Sequence, residues 1–72
     1  MEEWVVEYWE PKSMSPFWKR SADLDIGDLP PMSLEEAMKK AKGKQIKNIP
    51  LGLKYRIRNT RTKDIIPAVM FL

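Results

Sequence analysis

The sequence predicts a single small α+β domain, with one helix packed across an antiparallel sheet in the order β-β-α-β-β. Three observations lead to this fold class. Residues 4–9 and 53–58 alternate their side chains between two faces with the period of a β-strand. Residues from 34 onward carry apolar side chains at helical spacing. The chain has only 72 residues, so residues 1–72 form one domain.

The first strand is expected over 4–9, because its aromatic and β-branched residues suit a pleated, half-buried surface. One face carries Trp4, Val6 and Tyr8, and the other carries Val5, Glu7 and Trp9. Two prolines and two serines in residues 11–16 provide turn chemistry. Residues 17–22 then form a shorter strand that pairs back on the first.

Residues 23–31 contain three aspartates, one glycine and two prolines, and we expect a loop there. Ser33 begins a helix, because Ser33 and Glu36 have the spacing of a capping box. Gly43 is the expected C-terminal stop of this helix. The apolar stripe of the helix consists of Leu34, Ala37, Met38 and Ala41. This helix is too short to be stable alone, so it must dock on the sheet.

The C-terminal third predicts two further strands. Residues 53–58 alternate cleanly, and the polar run 59–64 is expected to form a hairpin loop. Residues 65–72 are apolar on both faces, and Pro67 favours an edge strand or a bulge over a central strand.

The residue inventory argues against an enzyme and against a bound cofactor or metal. The chain has no histidine and no cysteine, and its three glycines are isolated, so a neutral-pH base, a thiol nucleophile and a phosphate-binding loop are absent from the sequence. The run that begins at Asp23 resembles the start of a calcium loop. Its glycine, Gly27, falls at position five of that loop instead of position six, and Leu34 stands at position twelve, where the loop needs a glutamate. We therefore expect no catalytic residues and no metal site.

Charge is distributed unevenly along the chain. Residues 1–38 sum to −6 and residues 39–72 to +9, which gives the net charge of +3. Such asymmetry is typical of a surface for nucleic acid or for an acidic partner. The alternative is that the two halves neutralise one another in the folded protein. The sequence leaves both readings open.

One strand concentrates this positive charge in a candidate binding site. Lys54, Arg56 and Arg58, here called the basic ridge, project from one strand face about 7 Å apart. The hairpin loop extends the charge through Arg61 and Lys63. The ridge could follow a phosphate backbone, or it could pair across the sheet with Glu3 and Glu7. Beyond the ridge, Trp9 and Trp18 are candidates for base stacking or for the core.

The apolar C-terminal segment is a second candidate surface. One of its faces can be covered by the core, and the other must meet a second subunit, a partner or water. The expected interface residues are Ile65, Val69, Met70 and Phe71. A homo-oligomer formed through this strand is one possible outcome.

A tryptophan-rich opening strand, the run Ser33 to Ala37 and the hairpin from Tyr55 to Thr62 resemble the small accessory proteins of tailed bacteriophages. The resemblance implies no active site. It implies a binding task, such as blocking a host enzyme or defence complex, binding nucleic acid, or decorating a virion.

The sequence thus predicts a cytoplasmic, non-enzymatic binding protein with a macromolecular partner. No segment reaches the length of about 18 apolar residues that spans a bilayer, so no membrane association is expected. A host protein or a nucleoprotein complex is the leading partner, and inhibition is a possible role. The alternatives are direct nucleic-acid binding through the basic ridge and a self-assembling structural subunit of a virion.

Overall fold

The structure, a computed structural model, describes residues 2–23 and 27–72 and confirms the predicted α+β fold. The main sheet contains β1 (Trp4–Trp9), β2 (Lys19–Arg20), β5 (Lys54–Asn59) and β6 (Ile65–Pro67). The four strands lie in the order β2-β1-β5-β6, and every neighbouring pair is antiparallel. The helix α1 (Leu34–Lys47) lies between the two halves of the sheet in sequence and packs on one face.

The ladder between β1 and β5 fixes which side chains share a face. Its register runs from Trp4 opposite Asn59 to Trp9 opposite Lys54. Because residues directly opposite each other point to the same side, Glu7 and Arg56 lie together on the face away from the helix. The face predictions for both strands are therefore confirmed.

The helix-covered face holds the hydrophobic core. Val6 and Ile57 on the sheet are fully buried, as are Ala37 and Ala41 on the helix. The small alanines let the helix lie close to the sheet. The remaining members of the core are Leu29, Met32, Tyr55 and Phe71, with Trp4 and Tyr8 packed against them.

The helix begins as predicted and ends later than predicted. The Ser33 side chain accepts a hydrogen bond from the Glu36 N–H at 3.2 Å, which confirms the N-terminal cap. Gly43 does not end the helix, which continues to Lys47. The extra turn brings Gln45 against the sheet, where its amide donates to the Leu53 carbonyl and accepts from the Tyr55 N–H, both at 2.8 Å. A buried glutamine thus extends a stripe whose apolar members stop at Ala41.

Residues 23–31 are not only a loop, which corrects the prediction for this segment. The backbones of β3 (Ala22–Asp23) and β4 (Gly27–Asp28) pair in an antiparallel manner. Gly27 has a φ of 74°, a left-handed conformation that glycine adopts readily. The chain then returns to the main sheet, where Met32 and Trp4 exchange backbone hydrogen bonds of 2.8 and 2.9 Å. Residues 24–26, part of the segment where the sequence argued against a calcium loop, lie outside the described residues.

The C-terminal segment 65–72 is not one continuous strand. The edge strand β6 ends at Pro67, and Ala68–Met70 form a 3₁₀ helix. Proline cannot donate to a strand ladder, so the edge position that was predicted for it is confirmed. The turn of 3₁₀ helix redirects the chain and places Phe71, which is only 8% exposed, in the core. Across the described residues, no helix has the length and apolar character needed to span a membrane.

Candidate binding surface

The basic ridge lies where the sequence placed it, on the helix-free face of the sheet. Lys54, Arg56 and Arg58 alternate along β5, and β1 presents Trp9, Glu7 and Val5 opposite them in that order. The next row outward, on β6, contains Pro67 opposite Arg56 and Ile65 opposite Arg58. Cations, aromatic rings and apolar side chains therefore share one continuous face.

Glu7 holds both arginines of the ridge. Its two carboxylate oxygens accept from Arg56 Nε at 2.9 Å and from Arg58 Nε at 3.1 Å. The Glu7 side chain is only 8% exposed, while the two arginine side chains are 21% and 26% exposed. Cross-strand pairing, one of the two readings left open by the sequence, is thus the arrangement that the fold adopts.

The loop cations form a separate cluster at the β5–β6 turn. Arg61 Nε lies 3.1 Å from a Glu3 carboxylate oxygen, and Lys63 Nζ donates to the Thr60 carbonyl at 2.9 Å. The Asn59 side chain accepts from the backbone N–H groups of residues 61 and 62, which fixes the turn. Arg61 and Lys63 therefore extend the charge of the ridge at one end but do not join its aromatic part.

Two tryptophans and one arginine form a platform at the other end of the face. The rings of Trp9 and Trp18 lie 6.1 Å apart between centroids, within the range of favourable aromatic pairs. The Arg56 guanidinium carbon stands 4.2 Å from the centre of a Trp18 ring, a cation–π geometry. The Trp9 indole N–H donates to the Ser15 carbonyl at 3.0 Å, which ties the platform to the loop after β1.

An apolar groove adjoins this platform. We call it the tryptophan groove; it has a volume of about 500 Å³. Its apolar lining comes from β1, from the residue just before β2, from β6 and from the 3₁₀ helix. Lys54 and Arg56 also line the groove. The apolar members are Trp9, Trp18, Ile65, Pro67, Ala68 and Val69.

The four expected interface residues separate in the structure. Ile65 and Val69 line the tryptophan groove, and Val69 is 80% exposed. Met70 is exposed on the 3₁₀ helix, whereas Phe71 is buried, so placing Phe71 at an interface is corrected. The sequence did not predict this separation, because it indicated a strand beyond Pro67, and side chains in a 3₁₀ helix do not alternate between two faces as they do in a strand.

The outer edge of β6 is poorly suited to pairing with another strand. The Asn59 N–H donates to the Asp64 carbonyl at 2.8 Å, so the next hydrogen-bonded pair on this ladder is Ile57 with Ile66. The backbone groups of Ile65 and Pro67 consequently point outward, and proline has no N–H to donate. Strand-to-strand growth of an oligomer at this edge is disfavoured.

A second concavity lies at the C-terminal end of the helix. It has a volume of about 530 Å³ and includes Tyr8, Tyr55, Lys12 and Lys44. Burial, followed by the neighbouring Tyr8, raises the pKa of the Tyr55 hydroxyl above its usual value of 10.0. The raised pKa makes this hydroxyl a weaker acid, so it stays protonated near neutral pH. The absence of enzymatic activity stays a prediction.

The described residues contain no group of three or more histidine, cysteine, aspartate or glutamate side chains that could hold a metal ion. Comparisons with protein-family models, with curated proteins and with solved structures found no match.

Proposed function

We propose that this chain is a non-enzymatic binding protein that engages a protein partner through the tryptophan groove. The observation that carries the proposal is an apolar groove of about 500 Å³ on the sheet face that no helix covers, bordered by two tryptophans and two cations. Tryptophan and arginine are the side chains most enriched among residues that dominate binding energy.

The groove is held in place before any partner arrives. Trp9 is fixed by its hydrogen bond to Ser15, and Arg56 is held between the Glu7 carboxylate and the Trp18 ring. Side chains that are already ordered lose little conformational entropy on binding. Preorganisation of this kind supports recognition and is not needed for a solvent-facing surface.

The chemistry of the groove supports one kind of partner. Its floor accepts apolar side chains, and the ridge contributes three cations against the single carboxylate of Glu7, a net charge of +2. We infer a protein segment that inserts an apolar anchor and places a carboxylate beside Lys54. If the chain acts as a phage accessory protein or inhibitor, that segment belongs to a host protein or to a nucleoprotein complex.

Direct binding of nucleic acid to the basic ridge has less support. A phosphate would have to compete with the Glu7 carboxylate for Arg56 and Arg58, whose contacts with Glu7 are 2.9 and 3.1 Å long. Breaking a largely buried ion pair is costly. Lys54 is then the only ridge cation without an ion pair in the described structure.

Selection of random displayed peptides on the immobilised protein tests the proposal. We expect enriched peptides to combine a bulky apolar residue with Asp or Glu, and to quench or shift tryptophan fluorescence when they bind. Val69→Asp places a charge at the exposed edge of the groove, so it should abolish this binding without unfolding the domain. Leu51→Asp changes another exposed apolar residue, outside the groove, and should bind normally.

Three results would refute the proposal. One is a failure to enrich any peptide. Another is enrichment that Val69→Asp and Leu51→Asp affect equally. The third is a set of bound peptides with no acidic residues and no response to Lys54→Glu.

A further inference from the structure

The outer face of α1 carries an unusual density of positive charge. Five lysines fall within residues 39–47, and this stretch contains no acidic residue. At 100° per residue, Lys39 and Lys47 lie one turn before and one turn after Gly43 on the same row, and Lys40 lies beside them. We call this surface, centred on Gly43, the lysine face; its members are Lys39, Lys40, Gly43, Lys44 and Lys47. It points away from the buried Ala37 and Ala41.

Gly43 has no structural reason to be glycine. It lies inside the helix, and it is not among the glycines with a positive φ. A Cβ built at this position would have no heavy atom within 4 Å, so an alanine would fit. Glycine destabilises a helix interior relative to alanine. In a small domain with a thin stability margin, this glycine therefore lowers the stability of the helix at the centre of the lysine face.

The missing side chain creates a depression among the lysines. The concavity measures about 540 Å³ and is lined by all five members of the lysine face, with Glu36 at its N-terminal end. Lys40 and Lys44 also have interactions within the protein. Lys39 and Lys47 stand about 12 Å apart along the helix axis, on either side of the exposed Gly43 backbone.

We propose that the lysine face binds the phosphate backbone of nucleic acid, and that Gly43 lets this backbone approach the helix closely. Lys39 and Lys47 provide the phosphate contacts, with Lys40 and Lys44 adding to the local potential. Charge complementarity selects a polyanion, and recognition is independent of base sequence. This site is separate from the tryptophan groove and does not depend on the proposed protein partner.

The same helix is poorly suited to an anionic membrane surface. Peripheral membrane helices insert their apolar face into the lipid. The apolar face of α1 is already buried against the sheet through Ala37 and Ala41. Two apolar helix side chains are exposed: Ile46 lies on the flank of the lysine face, and Leu34 lies in the first turn on the opposite side of the helix. One isoleucine offers little area for insertion.

The test uses the whole chain and a short, fluorescently labelled DNA duplex of mixed sequence, with an RNA duplex in parallel. Anisotropy titrations between about 50 and 200 mM salt give the slope of log affinity against log salt, about −0.9 per phosphate contact. The double variant Lys39→Gln with Lys47→Gln should reduce this slope by about two contacts. The control pair Lys19→Gln with Lys63→Gln makes the same change in net charge on exposed residues that line neither the lysine face nor the tryptophan groove, and should leave the slope unchanged.

Gly43→Ala distinguishes a binding role from general electrostatics, because it changes no charge. We expect this variant to raise the melting temperature by several degrees. It should also weaken duplex binding by about threefold or more. If the variant is more stable and yet binds the duplex more weakly, damage to the fold cannot be the cause of the weaker binding.

Several outcomes would overturn the proposal. They are the absence of salt-dependent binding to either duplex, equal loss in the two lysine double variants, and wild-type affinity in Gly43→Ala. Binding to vesicles that contain an anionic lipid, without binding to either duplex, would assign the face to a membrane and would equally overturn it. Failure of the peptide selection would leave all of these results unaffected.

Discussion

Replacing the buried Glu7 with glutamine should destabilise the domain more than removal of an exposed charge does. The substitution keeps the size of the side chain and removes the negative charge that Arg56 and Arg58 share at 2.9 and 3.1 Å. Two guanidinium groups are then left close together over the sheet without a counter-charge. The glutamine carbonyl can still accept one hydrogen bond, so part of the contact survives.

The magnitude follows from burial. Hydrogen bonds to charged groups contribute about 1.5–3 kcal/mol each, and loss of a partner from a fully buried pair costs about 3–5 kcal/mol. The arginine side chains are a fifth to a quarter exposed, so water screens part of this cost. We expect a loss of about 2–3 kcal/mol. Proteins have about 0.05–0.15 kcal/mol of stability per residue, so 72 residues have about 4–11 kcal/mol in total.

The assay is thermal and urea unfolding followed by circular dichroism at neutral pH. The melting temperature should fall by about 8–24 °C, because 1 kcal/mol corresponds to about 4–8 °C in a domain of this size. Glu10→Gln, an exposed acid just beyond β1, is the matched control and should melt like the wild type. Adding Arg58→Gln to Glu7→Gln should restore part of the stability, because it removes one uncompensated charge.

The reasoning fails if Glu7→Gln melts within a few degrees of Glu10→Gln. That result would mean that the Glu7 pairs are worth no more than exposed surface pairs. It would also free the basic ridge for phosphate binding and would weaken the case for a preorganised tryptophan groove.

Five further substitutions test the rest of the fold. Ser33→Ala removes the helix cap and should cost about 1 kcal/mol in urea unfolding; an unchanged midpoint would show that the cap is unused. Gln45→Leu leaves two backbone groups without partners and should cost about 2–4 kcal/mol, despite its greater hydrophobicity; a gain in stability would contradict the bonding. Folding raises the Tyr55 pKa, so this hydroxyl stabilises the folded state below pH 10.0, and its contribution is lost as pH rises through the folded pKa. Tyr55→Phe should therefore flatten the fall of melting temperature with pH in strong alkali. Parallel curves for the variant and the wild type would refute this reasoning. Phe71→Asp should unfold the chain, because Phe71 is buried, while Met70→Asp should leave the chain folded. Sedimentation of the two variants and of the wild type then decides whether Met70 contributes to an oligomer.

Local patterns of the sequence predict much of this fold correctly. The side chains in residues 4–9 and 53–58 alternate with a period of two, so each strand can turn its apolar side chains toward the core in only one orientation. The Ser33 cap depends on two residues that are three positions apart, so it too can be predicted from the sequence. The grouping of Lys54, Arg56 and Arg58 on one face is a direct consequence of strand geometry.

Other features depend on contacts between distant segments. A local rule that places glycine after helices predicts a stop at Gly43, but Gln45 extends the helix by hydrogen bonding to the backbone of Leu53 and Tyr55, where β5 begins. The segment after Pro67 has strand-like composition, yet burial of Phe71 in the core favours a 3₁₀ turn. Local propensity yields to packing in both places.

The features of the candidate site also fall into those that local sequence predicts and those that depend on distant contacts. Its cations, its aromatic residues and the face on which the ridge lies can all be read from the sequence. The pairing of one carboxylate, Glu7, with two of those cations depends on the folded arrangement, as does the meeting of Trp18, Pro67 and Val69 beside Trp9 to form a groove. Strand period fixes which side a residue faces, whereas register and chain return fix which distant residues it meets, and those depend on the packing of the whole domain.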